Sequence, residues 1–426
     1  MQSRSLVHQF LPDTLPSEEL AALSEELSLF LFWHFGKSSS PSPYIDENAI
    51  ETIYANPRGN QLRVIWGKTN KQKVIQEIYL CDEADSSLIT SLAIQAREAL
   101  STNQETEMNR AILFADNTVT GYFRFLDNFQ ISPIPCNWND QENCARPGSR
   151  PFILQFSTQK STSQHIHRYR QRKRLNEIIL LLHGLLCNCF SQKHLKQDWV
   201  LVPQDDSDFE SKYLYHGYIP GNDDRPLDRK GFISPEVLEP MEQIPAGVYY
   251  SELQTSPMIC DDSGFRRVPL RVPSNLTRSL KIYHSMDASA KQQFLRAAHW
   301  KKNSSETNEI SQSLSIFCFF AAIDSLLPLP KQTGSCEECH RPFQEGQSKI
   351  FSEFLEKYAH PSSSKLKKDL YKLRSALVHG NSLGSQDLHQ TNVGIRDQKL
   401  SAQISSMNTL IHKSLVNWLL EHGKKT

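Results

Sequence analysis

Lys365-Leu-Lys-Lys-Asp-Leu-Tyr-Lys-Leu-Arg-Ser-Ala-Leu-Val-His-Gly380 is the stretch from which the chain is best read. Leu366, Leu370, Leu373 and Leu377 recur three and four positions apart, which puts them on one face of an α-helix. Lys365, Lys367, Lys368, Lys372 and Arg374 make the rest of that surface cationic. Gly380, followed by Asn381 and Ser382, is a stop signal. The pattern predicts an amphipathic helix that ends in an arginine, four residues, a histidine and a glycine.

Arg374 and His379 stand about 140° apart around a straight helix. They converge if His379 lies on the last turn and tips toward the following loop, or if two copies of the chain face each other. A histidine at a helix C-terminus is favoured as the cation, because the dipole is negative there. A fixed guanidinium beside a titratable imidazole suits a phosphodiester: the arginine binds phosphate oxygens and the histidine moves protons.

These residues carry a resemblance. Arg374-Ser-Ala-Leu-Val-His379 resembles the signature of HEPN domains, an arginine and a histidine separated by four to six residues. Leu373 to Gly380 is most similar to the Apea-like branch. The resemblance covers roughly the last third of the chain. It implies an all-α domain that dimerises through its motif helices, and a metal-independent endoribonuclease of the kind found in toxin, abortive-infection and antiviral systems. On that reading Arg374 and His379 are catalytic, and Ser375 supports them. Ser375 stands where many active members carry Asn, Asp or His, so it can hydrogen-bond without bearing charge. Lys367, Lys368 and Lys372 would hold the RNA backbone. The other reading of the same resemblance is a non-catalytic module that dimerises and binds RNA or a protein partner.

Spacing alone is weak, because Arg278-Ser-Leu-Lys-Ile-Tyr-His284 fits the pattern too. Only the later pair ends a lysine-rich amphipathic helix and precedes a glycine. Global charge gives no help: 47 basic and 47 acidic residues cancel, so a nucleic-acid site must come from local clustering. One such cluster is His165, His167, Arg168, Arg170, Arg172, Lys173 and Arg174, running into an apolar helix expected over Leu175 to Phe190. Arg170, Arg172 and Lys173 are its candidate phosphate contacts, with Tyr169 available to stack on a base. The alternative is a solvated helix start whose long side chains lie over the core.

The nine cysteines are odd in number and irregular in spacing, which fits reduced thiols better than a disulfide framework. Met1 to His8 lacks the basic-then-apolar design of a signal peptide, and no apolar run reaches the roughly 20 residues of a membrane span. The expectation is a soluble, cytoplasmic protein with no membrane partner. Cys336-Glu-Glu-Cys339-His340 has the spacing of half a zinc site, open also to a redox pair or two plain thiols. A structural zinc there would be separate from the chemistry, which needs no cofactor.

The expected architecture is an α+β N-terminal region followed by an all-α, HEPN-like helical bundle. Residues 1–135 read as a mixed α+β region, with helices near Ser17 to Phe35 and Ser87 to Leu100. Its strands are expected at Gln61 to Trp66, Lys73 to Leu80, Ala111 to Phe114 and Val119 to Ile131. Residues 136–275 continue that region as a sensor or partner-binding part. The stretch 133–165 reads as irregular, Gly247 to Tyr250 as a strand, and Pro269 and Pro273 as a border. Residues 276–426 read as five helices, among them Ala288 to Lys301, Glu306 to Leu327, Ser348 to Tyr358 and Ala402 to Glu421. The expected partners are RNA, a second copy of the chain and a regulatory protein.

Overall fold

A computed structural model describes residues 5–9, 23–24, 26–28, 30–31, 49–55, 61–69, 72–80, 91–92, 94–96, 106–115, 117–134, 138–139, 150–160, 164–186, 190–191, 202–203, 225–249, 269–307, 311–335, 342–344, 346–359, 370–376 and 398–423. The chain is mixed α and β, and it divides into two units: residues 1–107 with 158–173, and residues 108–157 with 174–426.

The first unit holds a four-stranded antiparallel sheet. Its strands are β1 (Ser5–Gln9), β2 (Ala49–Ala55), β3 (Gln61–Thr69) and β4 (Gln72–Leu80), in the order β1-β4-β3-β2. The hairpins follow from the sequence: two runs expected as strands pair from Thr69↔Gln72 outward, with a register shift between Ile65 and Trp66. Helical residues between 23 and 31 bury Leu23, Leu27, Phe30 and Leu31, which are spaced as one helix face.

A five-stranded sheet, nearly all of it in the second unit, is made by β5 (Thr106–Ala115), β6 (Phe123–Phe125), β7 (Phe129–Pro133), β9 (Arg150–Gln159) and β10 (Phe190–Ser191) in the order β10-β5-β9-β7-β6. Short pairs are made by β8 (Trp138–Asn139) with β11 (Val202–Pro203), and by β12 (Gln243–Ile244) with β13 (Val272–Pro273). The stretch expected as one strand over 119–131 is a hairpin. It turns at Leu126, which takes a left-handed φ of 49°.

β9 overturns the irregular reading of 133–165. Phe152, Ile153, Leu154 and Phe156 are buried at the middle of the sheet, and Pro151 sits near the strand's start, where its missing N–H is tolerated. Two buried amides also lie on this sheet. Gln155 donates to the Gly231 carbonyl (3.2 Å) and accepts from Ile233 N–H (2.8 Å), while Gln130 donates to the Ile233 carbonyl (3.0 Å). They tie the 225–234 loop down, and Gly231 supplies the φ of +82° that its turn needs. Residues 246–249 form a helical turn rather than the expected strand, because Tyr249 N–H bonds back to the Pro245 carbonyl at 2.9 Å.

The helices are α1 (Gln164–Leu185), α2 (Leu276–Ser285), α3 (Ala288–Thr307), α4 (Gln312–Asp324), α5 (Gln347–Tyr358) and α6 (Gln398–His422), with residues 370–376 also helical. The basic cluster is thus inside α1 rather than before it. Phe190, expected in the same helix, pairs with Ala115 in the sheet instead. The α2–α6 helices and the five-stranded sheet share one apolar core. Phe129 and Phe152 of the sheet belong to it, with Leu182 of α1, Leu280 of α2, Phe294 of α3, Phe319 of α4, Phe354 of α5 and Trp418 of α6. Leu270 and Val272, beside the expected border at 275, belong to it as well. Gly184 lets α1 approach α3: a Cβ there would meet the Phe294 ring at 2.8 Å.

Among the described residues no helix is long and apolar enough to cross a membrane.

Candidate functional site

The described part of the motif helix, residues 370–376, is anchored by its apolar side. Leu370 is buried, and Tyr371 and Leu373 pack against the core. The Tyr371 ring lies 6.0 Å from Phe351 on α5, and Phe351 lies 6.1 Å from Phe320 on α4. This row of rings fixes the helix and turns Arg374 toward the C-terminal end of α4. There its Nη2 donates to Asp324 Oδ2 at 2.8 Å. The pair is partly open to water, with 24% of the Arg374 side chain and 36% of the Asp324 side chain exposed. Arg374 Cζ lies 6.0 Å from the Tyr371 ring centroid, and its Nε is buried without a hydrogen-bond partner. Ser375 is half-buried and Lys372 is exposed. His379, Lys367 and Lys368 lie outside the described residues.

Asp324 is the residue that sequence reasoning passed over. It had a signal: it is the one charged side chain between Glu309 and Lys331, in an otherwise apolar and small-residue run. α4 buries nearly its whole circumference. Its outward positions are Leu314 and Phe317, both exposed, then half-buried Ala321 and exposed Asp324, spaced three and four apart along one stripe. Phe317 meets Trp300 of α3 edge-on at 6.5 Å.

The basic cluster of α1 divides into two kinds of residue. Arg170 is turned inward, where it pairs with Glu26 and donates to the Lys160 carbonyl at 3.0 Å. Arg172 and Lys173 are exposed, as are Arg168 and Tyr169. His167 Nε2 lies 3.3 Å from Glu107.

The second arginine–histidine instance does not form a pair of the same kind. Arg278 is exposed, whereas His284 is half-buried and stacks on Phe125 with ring centroids 5.3 Å apart. Nearby, Glu177 accepts from Arg174 (2.6 Å) and from the Tyr283 hydroxyl (3.0 Å). Burial alone would raise the Glu177 pKa; Arg174 and these hydrogen bonds outweigh it and hold the carboxyl below its usual range. The Tyr283 hydroxyl is pushed up by burial and by Glu177, so it stays a donor. Burial and the Arg174 cation push the His284 imidazole down, toward its neutral form. Arg174 also bonds Asn128 at 3.2 Å, so the cluster ties α1, α2 and the β6–β7 turn together.

A third polar cluster is fully buried. Lys301 of α3 donates to the carbonyls of His183 and Leu186, the latter at 3.0 Å, and to His412 Nδ1 at 3.1 Å. His183 in turn contacts the Phe190 carbonyl at 2.5 Å. The Lys301 ammonium therefore caps the C-terminal end of α1, where the dipole favours a cation. Burial, outweighing the Phe190 hydrogen bond and joined by Lys301 and Lys302, pushes His183 down to about 3. His412 is likewise pushed well below its ordinary value, by burial and then by Lys301 and Lys413.

Cys336, Cys339 and His340 lie outside the described residues. They fall in the interval between β14 (Gln332–Ser335) and β15 (Pro342–Gln344), which pair antiparallel from Ser335↔Pro342 outward. Among the described residues no group of three potential metal ligands comes together.

A comparison of the chain with known protein families found no match, and a comparison with curated proteins found none either.

Proposed function

We propose that the chain is a metal-independent endoribonuclease whose active site is built on Arg374 and His379. The observation that carries this reading is the Arg374-x4-His379 pattern closing a lysine-rich amphipathic helix just before Gly380. The anchoring of that helix through Leu370 and Tyr371 supports it, because it leaves the Arg374 side chain partly open to water.

In the reaction, His379 takes the proton of a ribose 2′-hydroxyl. The hydroxyl oxygen attacks the adjacent phosphorus, and the bond to the 5′-oxygen breaks. The products are a 2′,3′-cyclic phosphate and a 5′-hydroxyl, the latter receiving its proton from an imidazolium. Arg374 stabilises the charge that builds on the phosphoryl oxygens. Attack by the 2′-hydroxyl confines the substrate to RNA. Ser375 orients the pair by a hydrogen bond. Lys367, Lys368 and Lys372 hold the backbone, while Arg172 and Lys173 offer a separate phosphate-contact surface. Arg170 is left out of that surface, since its guanidinium is taken up by Glu26.

In this reading the helices after residue 276 are a HEPN-like bundle that works as a cytoplasmic homodimer. The outward stripe of α4 supports a second copy: Leu314 and Phe317 are exposed apolar positions that lead along the helix to Asp324, the partner of Arg374. The N-terminal unit would sense a trigger or bind a regulatory protein, in a toxin or antiviral setting. A structural zinc at Cys336, Cys339 and His340 would hold the β14–β15 hairpin and take no part in cleavage; zinc content of the purified protein checks it.

A second reading is a HEPN module that binds RNA or a protein without cutting. Ser375 favours it, because it has no charge where many active members carry Asp or His. The deciding experiment incubates purified protein and its Arg374→Ala/His379→Ala variant with labelled RNA and DNA in excess EDTA. Cleavage of RNA alone, with cyclic phosphate ends and none from the variant, is the expected result. Cleavage that persists in the variant would place the site elsewhere.

A further inference from the structure

The contact between Arg374 and Asp324 is not part of the motif and is not required by it. We propose that Asp324 is an internal counter-ion that occupies Arg374 in the free protein and is displaced by a backbone phosphate of RNA, so that the site restrains itself until substrate arrives. This rests on the reading of Arg374 as a phosphate contact.

Three observations lead to it. Asp324 is the last residue of α4, where the helix dipole disfavours a carboxylate and a nearby cation is stabilising. Arg374 is that cation, through a single hydrogen bond from Nη2. That bond leaves the guanidinium poorly satisfied, because Nε stays buried with no partner. A phosphate presents several acceptor oxygens and pairs with arginine through two parallel bonds. A small swing of the side chain off Asp324 would exchange one bond for two and bring Nε out of its orphaned position. The partial exposure of both side chains gives a phosphate access to the pair.

The strength of such a restraint is limited by the same geometry. Half-exposed ion pairs are weak, so Asp324 should reduce RNA affinity by no more than about fivefold.

The test uses the full chain and a single-stranded 2′-O-methyl oligoribonucleotide, which lacks the attacking hydroxyl and therefore stays intact. Binding is measured at low salt for wild type, Asp324→Asn, Asp324→Ala, Arg374→Ala and the Asp324→Asn/Arg374→Ala double variant. Thermal melts confirm that each is folded. The expected result is that Arg374→Ala weakens binding about tenfold, that both Asp324 variants tighten it by up to about fivefold, and that Asp324→Asn has no effect in the Arg374→Ala background. If Asp324→Ala weakens binding while Asp324→Asn does not, Asp324 positions Arg374 rather than blocking it, and the counter-ion idea is wrong. If Asp324→Asn tightens binding equally in both backgrounds, the carboxylate acts as diffuse charge and the specific exchange is excluded. If Arg374→Ala leaves binding unchanged, the phosphate-contact reading fails and this inference falls with it. In the first two cases Arg374→Ala still weakens binding, so the failures are distinguishable.

Discussion

Lys301 and Arg374 are cations on helices of the same unit, held in opposite ways. Lys301 is only 3% exposed and donates to two carbonyls and an imidazole. Arg374 is partly in water, meets one carboxylate through one nitrogen, and leaves a second nitrogen without a partner. The first arrangement closes a helix end. The second has donors to spare and a partner that a stronger acid can replace. A cation's surroundings, more than its identity, separate a brace from a binding group.

That contrast breaks first on cleavage. Arg374→Ala and His379→Ala should each lower RNA cleavage by about 10²- to 10⁴-fold, the range for loss of acid–base or charge-stabilising groups. The Arg374 change should cost less than about 1 kcal/mol in a urea melt, because it removes only a half-exposed ion pair. A large loss of stability from Arg374→Ala would make it a brace like Lys301.

The converse variant is Lys301→Met, similar in length and without the ammonium. It strands the His183 and Leu186 carbonyls at the end of α1 and leaves His412 Nδ1 without its donor. We expect a loss of about 3 kcal/mol in the urea midpoint analysis, with cleavage per folded molecule unchanged. Undiminished stability in the Lys301→Met variant would mean that the apolar replacement compensates for the buried charge.

The two cations also differ in how far the sequence revealed them. Arg374 stood out because a leucine stripe and a terminal glycine flag its helix end. Lys301 sits in a run with Lys302 and Asn303 that reads as a helix surface, and nothing local says that one lysine points inward. The His183, Leu186 and His412 groups it meets are 118, 115 and 111 positions away in sequence, so only the fold reveals the cluster. Most helices after residue 276 were legible for the same reason as the motif helix: long apolar periodicity. β9 was not, since its apolar run begins after Pro147 and Pro151, and a central strand lacks alternation to announce it. Asp324 was passed over although it is the one charge in an apolar run, because its partner lies 50 residues away in sequence. Sequence spacing exposes what one element does alone; pairings between elements require the packing.

Acid should find the brace before it finds the site. The folded chain keeps His183 and His412 neutral, with His183 at about 3, whereas in the unfolded chain both bind protons near pH 6.5. Below that value the unfolded state takes up more protons, so stability rises with pH and is lost as pH falls from about 6.5 toward 3. His183 contributes a slope approaching about 1.4 kcal/mol per pH unit inside that window, and His412, also pushed down by burial, adds in the same direction. His284, also pushed down, acts in the same direction. Asp127, Asp228 and Glu177 are held below their usual range and add their loss only under about pH 4. Urea melts at pH 7.5 and 5.5 therefore isolate the histidines. An unchanged midpoint would mean that the buried imidazoles are reached by water or that the cluster opens.

The smallest expected effect sharpens the contrast within one helix. Arg170 and Arg172 of α1 are two positions apart and indistinguishable by residue type, yet Arg170 pairs with Glu26 while Arg172 is exposed. Arg170→Ala leaves the Glu26 carboxylate in a buried setting without its guanidinium. The cost should be about 1–2 kcal/mol, below the ~3–5 of a fully buried pair, because about a tenth of each side chain still meets water. Arg172→Ala should change stability by less than about 0.5 kcal/mol. If the α1 surface contacts RNA, it should also lower the slope of log affinity against log salt by about 0.7, the value for one phosphate contact on a single strand. Arg170→Ala should leave that slope alone. An equal salt response from both would mean that the Glu26 pair opens on binding, which would make it a second exchangeable counter-ion of the kind argued for Asp324. No response from either would confine RNA contact to the motif helix and leave the basic face of α1 as solvated surface.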